Sequence, residues 1–248
     1  MNILNIAAYR FVAIDDPAAL RAGLKARCIA LRLKGTILVA AEGINLFLAG
    51  AAADVEAFLR TLWADARFAA IEVKCSWSAQ APFRRLLVKI KREIVAMRRP
   101  DFDPLALPAP RLAPPELKRW LDEGRDIVLL DTRNQFEVEL GSFENALSLG
   151  LGSFSDFPRA TPKLVEAAKA RAVVTFCTGG IRCEKAAPWL ISQGLREVYQ
   201  LEGGILNYFE QCGGAHFRGA CFVFDARVAL DPSLQQTGSA QSAAATPA

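Results

Sequence analysis

A single histidine, His216, stands in this chain of 248 residues. That scarcity excludes any metal site built on two histidines, the two-histidine-one-carboxylate iron centre among them. It also leaves a cysteine–histidine nucleophile pair unsupported. Six cysteines are present, Cys28, Cys75, Cys177, Cys183, Cys212 and Cys221, and no two of them have the C-x-x-C spacing of a zinc knuckle. No run approaches the roughly 18 apolar residues that span a bilayer. The opening "MNILNIAAYRF" has neither a basic leader nor a cleavage site, so the cytoplasm is the expected location. In that reducing compartment the cysteines are expected as free thiols, with Cys28 and Cys75 as small core residues.

What is present is a soluble globular composition, 52% hydrophobic and 23% charged. The net charge of +4 matters less than its placement. "RRLLVKIKREIVAMRR", residues 84 to 99, carries seven basic residues against the lone acidic Glu93. Arg84, Arg85, Lys89, Lys91 and Arg92 there read either as a strand edge guarded against aggregation or as a surface for an RNA backbone.

Periodicity divides the chain. Residues 1–95 follow a strand–helix–strand–strand–helix–strand order, with Asp16 and Pro17 opening the first helix and "AEG" turning a hairpin. Two helices over a four-stranded antiparallel sheet, the ferredoxin-like α+β arrangement, fit that order. Six prolines between Pro100 and Pro115 predict an extended linker over 96–115. Residues 116–218 alternate strand and helix, which implies an α/β domain with a parallel sheet and a site at the strands' carboxyl ends. An extension from 219 becomes low-complexity from about 231, where disorder is expected.

The chemistry concentrates in "CTGGIRCEK", residues 177 to 185. Cys177 follows the apolar strand "AVVTF". Thr178, Gly179, Gly180 and Ile181 can curl so that successive N–H groups turn inward as an anion nest. Arg182 opens a helix whose dipole adds positive charge. These surroundings lower a thiol pKa from about 8.5 toward neutrality. Cys183 reads either as a resolving thiol or as the first buried residue of the helix.

The cysteine loop, with "LLDTRNQFEVELGSFENAL" before it and "VYQLEGGILNYF" after it, resembles the rhodanese module. In that resemblance Asp131, Arg133 and Glu137 are polar supports of the loop. Its six-residue span from cysteine to arginine is one shorter than in related phosphatases, whose tetrahedral oxyanions need a wider cradle. Together with "GTILVAAEGIN" and "RGACFVFDARVALD", the pattern is similar to the bacterial tRNA uridine hydroxylases of the rhodanese type. The resemblance implies oxygen-dependent 5-hydroxylation of the wobble uridine, with Cys177 as the catalytic nucleophile. Dioxygen is the implied co-substrate, with no metal and no other cofactor evident. The implied partner is a tRNA anticodon stem-loop, not DNA and not a membrane, and the basic stretch then reads as its clamp. Trp77 and Phe83 are aromatics close enough in sequence to stack its bases. The chain departs from the family's pattern at Leu46 and Phe47, where a glycine and a small polar residue usually follow "AEGIN", and in having no cysteine-rich segment near its end. The runner-up is a rhodanese-type sulfurtransferase carrying a persulfide on Cys177; a third reading is a non-catalytic RNA-binding adaptor.

Overall fold

The computed structural model describes residues 3–237. Two compact units share them, Met1–Ala96 and Met97–Ala248. The first unit opens with β1 (Ile3–Phe11) and α1 (Pro17–Ala30). Asp16 caps α1 through Oδ1, which accepts from the amides of Ala18 and Ala19 at 3.0 and 2.9 Å, and Pro17 supplies a φ already suited to the first turn. The hairpin of β2 (Lys34–Ala40) and β3 (Gly43–Gly50) follows, then α2 (Ala52–Trp63), β4 (Val73–Ser78) and β5 (Leu86–Ile90). Gly43 must be glycine: its φ is +144°, and a Cβ would sit 2.0 Å from the Arg10 carbonyl oxygen on β1.

The expected ferredoxin-like order β4-β1-β3-β2 is present, but the sheet has five strands. β5 extends it beyond β2 and runs parallel to it, with Thr36 beside Leu87 and Ile37 beside Val88. One sheet face and the two helices enclose Ile37, Ile44, Leu46, Leu48, Phe58 and Phe68. Leu46, the departure from the family pattern, is thus a core residue. Cys28 is buried in the same core, and burial pushes its thiol up to about 12. Cys75 corrects the expectation of a core thiol, because it lies exposed on β4.

The second unit begins in the proline-rich stretch, which lies along its own domain. The Arg99 guanidinium stands 4.7 Å over the Trp189 ring, and Phe102 meets that ring edge-on at 5.4 Å. Residues 111–112 form β6 (Arg111–Leu112), and α3 (Pro114–Asp122) starts at Pro114, so the extended character expected to 115 ends earlier. Then come β7 (Ile127–Asp131), α4 (Gln135–Val138), β8 (Gly141–Phe143), β9 (Leu147–Ser148), α5 (Phe157–Ala160), α6 (Pro162–Ala167) and β10 (Ala172–Phe176). The unit continues through α7 (Cys183–Ser192), β11 (Val198–Leu201), α8 (Gly204–Cys212), β12 (Phe217–Gly219), β13 (Cys221–Phe222) and β14 (Ala229–Leu230).

Five strands, ordered β6-β11-β10-β7-β9, make a wholly parallel sheet. Every residue of β10 is buried, as a central parallel strand covered on both faces requires. Leu129, Val174, Phe176 and Leu201 pack with Leu117 and Trp120 of α3 and with Ile205, Tyr208 and Phe209 of α8. Residues 231–237, expected to be disordered, are held by hydrogen bonds from Asp231 N to Gln235 O and from Thr237 N to Ala229 O. The rest of that expected tail, 238–248, lies outside the described residues. Among the described residues no helix is long and apolar enough to cross a membrane.

Candidate active site

Cys177 is the first residue past β10, at the carboxyl end of the central strand of the parallel sheet. Its sulfur accepts a hydrogen bond from the Gly180 amide at 3.1 Å. Gly180 has φ +98°, a conformation that turns the chain back toward the thiol at little cost only without a Cβ. The loop then enters α7, whose first residue is Cys183 and whose N-terminal end faces the site.

The loop's carbonyls are fixed from the other side. Ile205 N and Leu206 N, at the start of α8, donate to Cys177 O at 2.9 Å and to Thr178 O at 3.1 Å. With its carbonyls bound outward by one helix terminus, the loop presents its amides inward to the sulfur. This contact depends on Gly204, whose φ is +66° and whose Cβ would stand 2.4 Å from Cys177 O. The sequence reading passed over Gly204; its signal is the Gly-Gly doublet ahead of a helical pattern.

Arg182 closes the loop and is buried. Its two terminal nitrogens reach both Glu137 oxygens at 2.8 Å. Glu137, fully buried in α4, also accepts from the Asn134 amide at 3.1 Å. One step further back, Asp131 and Arg133 form a second buried two-pronged pair at 2.6 and 2.9 Å. Ser142 Oγ donates to Asp131 at 2.7 Å, and Arg133 donates to Gly141 O at 2.6 Å, so this pair ties the end of β7 to β8. The residues expected to brace the loop divide accordingly: Glu137 holds Arg182, while Asp131 and Arg133 hold the strand end from which α4 hangs.

Opposing effects set the charge on Cys177. Burial works against the thiolate. A hydrogen bond from Cys183, the positive charge of Arg182, and the amides of Arg182 and Gly180 outweigh it and bring the pKa down to about 6. Cys183 goes the other way: burial raises its pKa, and the neighbouring Cys177 adds to the rise. Its sulfur lies 3.9 Å from Thr132 Oγ1. Two thiols six positions apart thus differ in kind, Cys177 shifted toward the thiolate and Cys183 toward the protonated thiol.

The C-terminal segment lies over the loop. Thr178 Oγ1 donates to Phe222 O at 3.2 Å, and the Arg182 guanidinium sits 5.6 Å from the Phe224 ring. His216 is engaged elsewhere, with Nε2 2.7 Å from Asp122 Oδ1. Among the described residues no group of three or more His, Cys, Asp or Glu could hold a metal ion.

In the first unit Arg84, Arg85, Lys89, Lys91 and Arg92 are all exposed. Only Lys89 lies within β5, the edge strand; the other four flank it. None of the five forms an ion pair with another described residue. Trp77, 56% exposed, projects from β4 at the opposite edge of the sheet. Four strand spacings, about 19 Å, separate the two edges, so nearness in sequence does not bring Trp77 to the basic strand. Phe83 is half-buried between β4 and β5.

A parallel sheet that ends in this cysteine loop, following a ferredoxin-like unit, defines a rhodanese-like domain joined to an acylphosphatase-like one. The family models agree: residues 3–94 match the UPF0176 acylphosphatase like domain, and residues 113–211 match the rhodanese-like domain. Relatives extend over nearly the whole chain. A protein of Cupriavidus taiwanensis is 53% identical over 97% of this chain and 87% of its own. One of Thiobacillus denitrificans is 54% identical over 96% and 98%, and one of Variovorax paradoxus is 55% identical over 98% and 95%. Each is named tRNA uridine(34) hydroxylase. The chain belongs to the tRNA uridine(34) hydroxylase family.

The seating of α8 on the loop yields a test. Gly204→Ala should destabilise the fold by roughly 2–4 kcal/mol, from backbone strain and overlap with Cys177 O, and slow alkylation of Cys177 at pH 7. Gly194→Ala has a comparable φ of +99° but nothing within 4 Å of its Cβ. It should cost about 1 kcal/mol and leave alkylation unchanged. Urea unfolding and a timed iodoacetamide reaction read both quantities; equal alkylation rates in the two variants would refute the role given to Gly204.

Proposed function

We propose that this protein hydroxylates carbon 5 of the wobble uridine in tRNA, with dioxygen as co-substrate and Cys177 as nucleophile. The observation that carries the reading is the buried Cys177 sulfur, which accepts from the Gly180 amide and is shifted toward the thiolate by the Cys183 hydrogen bond, Arg182 and the loop amides, in a chain matched almost end to end by hydroxylases. Carbon 6 of uracil is electrophilic. Addition of the Cys177 thiolate there turns carbon 5 into an enolate carbon, which dioxygen can oxidise. Arg182 and the loop N–H groups stabilise the negative charge that develops.

The atoms require a reductant. Dioxygen adds to carbon 5 as a hydroperoxide, and one oxygen must then leave. Cys183 can take that oxygen as a sulfenic acid, leaving the hydroxyl on carbon 5. Loss of the carbon 5 proton expels Cys177 and restores the double bond. Cys177 then condenses with the sulfenic acid, releasing water and leaving a disulfide for an external thiol to reduce. Two thiols are oxidised for each uridine hydroxylated.

The five unpaired cations around β5 suit a phosphate backbone, so the anticodon stem-loop is assigned to that edge. Sulfur transfer remains the runner-up; it draws on the cysteine loop alone and gives the exposed basic edge no purpose.

Nucleoside mass spectrometry of total tRNA tests the reading, in a strain lacking this gene and its redundant pathways. The wild-type chain should restore 5-hydroxyuridine derivatives, Cys177→Ala should restore none, and charge reversal at Arg84, Arg85 and Lys89 should weaken tRNA binding at least tenfold. Unchanged nucleosides on deletion would bring sulfur transfer forward. Reduced protein given tRNA and dioxygen alone should lose two thiols per 5-hydroxyuridine formed; product without thiol loss would remove Cys183 from the chemistry.

A further inference from the structure

We propose that Phe136, Phe222 and Phe224 form a stacking platform that receives the uracil base beside the Cys177 loop. The inference rests on the hydroxylase reading and names the surface that would hold the base. The three rings come from two distant parts of the chain, the start of α4 and the segment at β13. Phe136 meets Phe222 edge-on at 5.1 Å, and Phe222 meets Phe224 edge-on at 5.0 Å. Such packing ordinarily belongs to a core. Here Phe136 is 48% exposed and Phe224 is 47% exposed. A contiguous aromatic patch this exposed beside the cysteine loop marks a surface that a flat ligand can use.

Attachment to the reactive loop identifies that occupant. Phe136 immediately precedes Glu137, which grips Arg182 through both oxygens. Phe222 is bound through its carbonyl by Thr178, the residue after Cys177. Phe224 lies 5.6 Å from the Arg182 guanidinium. Each ring is therefore anchored to a residue of the cysteine loop or to that residue's partner. A ligand on this patch must be flat, with a π face for the rings and an electron-rich edge for the guanidinium. A pyrimidine in a single-stranded loop meets both conditions, because its ring stacks and its carbonyl oxygens accept hydrogen bonds. A partner helix would instead need an aliphatic groove away from a buried ion pair and a thiolate.

The test uses the full-length chain and an anticodon stem-loop RNA carrying 5-iodouridine at the wobble position. After irradiation, cross-links should map to tryptic peptide 219–227, which contains Phe222 and Phe224, or to the peptide containing Phe136. In steady-state assays Phe224→Ala should raise KM for the stem-loop about tenfold, the effect of one base–aromatic stack. Phe224→Trp should restore it, and both variants should keep the wild-type rate of Cys177 alkylation. Cross-links confined to other peptides would overturn the platform, as would a Phe224→Ala variant with unchanged KM. So would a loss of activity that tracks slowed alkylation, since the ring would then merely support the loop. Cross-links to these peptides without any 5-hydroxyuridine formed would keep the platform and discard the hydroxylase reading.

Discussion

The bidentate pair between Arg182 and Glu137 is the contact through which the sheet controls the loop. Two buried charges at this separation are costly to desolvate and are tolerated only when every oxygen and nitrogen is well placed. Glu137 meets that requirement because α4 hangs from the end of β7, and the Asp131–Arg133 pair locks that end to β8. Order therefore passes from the parallel sheet to Asp131, to α4, to Glu137 and to Arg182, whose charge acts on the Cys177 sulfur. Removing Glu137 would leave a guanidinium buried without its counter-charge, which costs far more than the pair contributes.

Backbone geometry supplies the other half of the site. Two helix N-termini converge on one six-residue turn: α7 starts from it, and α8 binds its outward carbonyls. The arrangement puts positive backbone dipoles around a sulfur that burial alone would keep protonated. Cys28 shows what burial does unaided, since its thiol is pushed up to about 12. The contrast between Cys28 and Cys177 shows that the Cys183 hydrogen bond, the Arg182 charge and the loop amides together overcome burial.

Much of this was legible in the residues because it is local. The C-x-x-x-x-R spacing after an apolar strand places the thiol, the turn and the arginine within six residues, and no long-range contact is needed to recognise them. The continuous apolar runs of β7 and β10 likewise mark a buried parallel sheet. What could not be read depends on distant pairing. Strands of two residues, β6 and β9, are too short for any period. β5 joins the first sheet in parallel, a register that only the tertiary fold sets. Gly204 matters because α8 folds back onto Cys177 O, and the rings of Phe136 and Phe222 meet only after more than 80 residues of chain have returned. The exposed Cys75 was misjudged because composition assigns a thiol to the core, whereas β4 is an edge strand.

The central claim is that the loop keeps Cys177 ionised against the cost of burial, and titration of that thiol is its most direct test. Thiolate absorbance near 240 nm, or the rate of alkylation, would be followed across pH in the full-length protein, with Cys177→Ser as the subtraction control. The account predicts a transition centred at about 6, with the thiolate present above it and lost as pH falls through it. A transition at or above the ordinary thiol value of about 8.5 would contradict the account. The loop would then be an ordinary turn beside a buried cysteine.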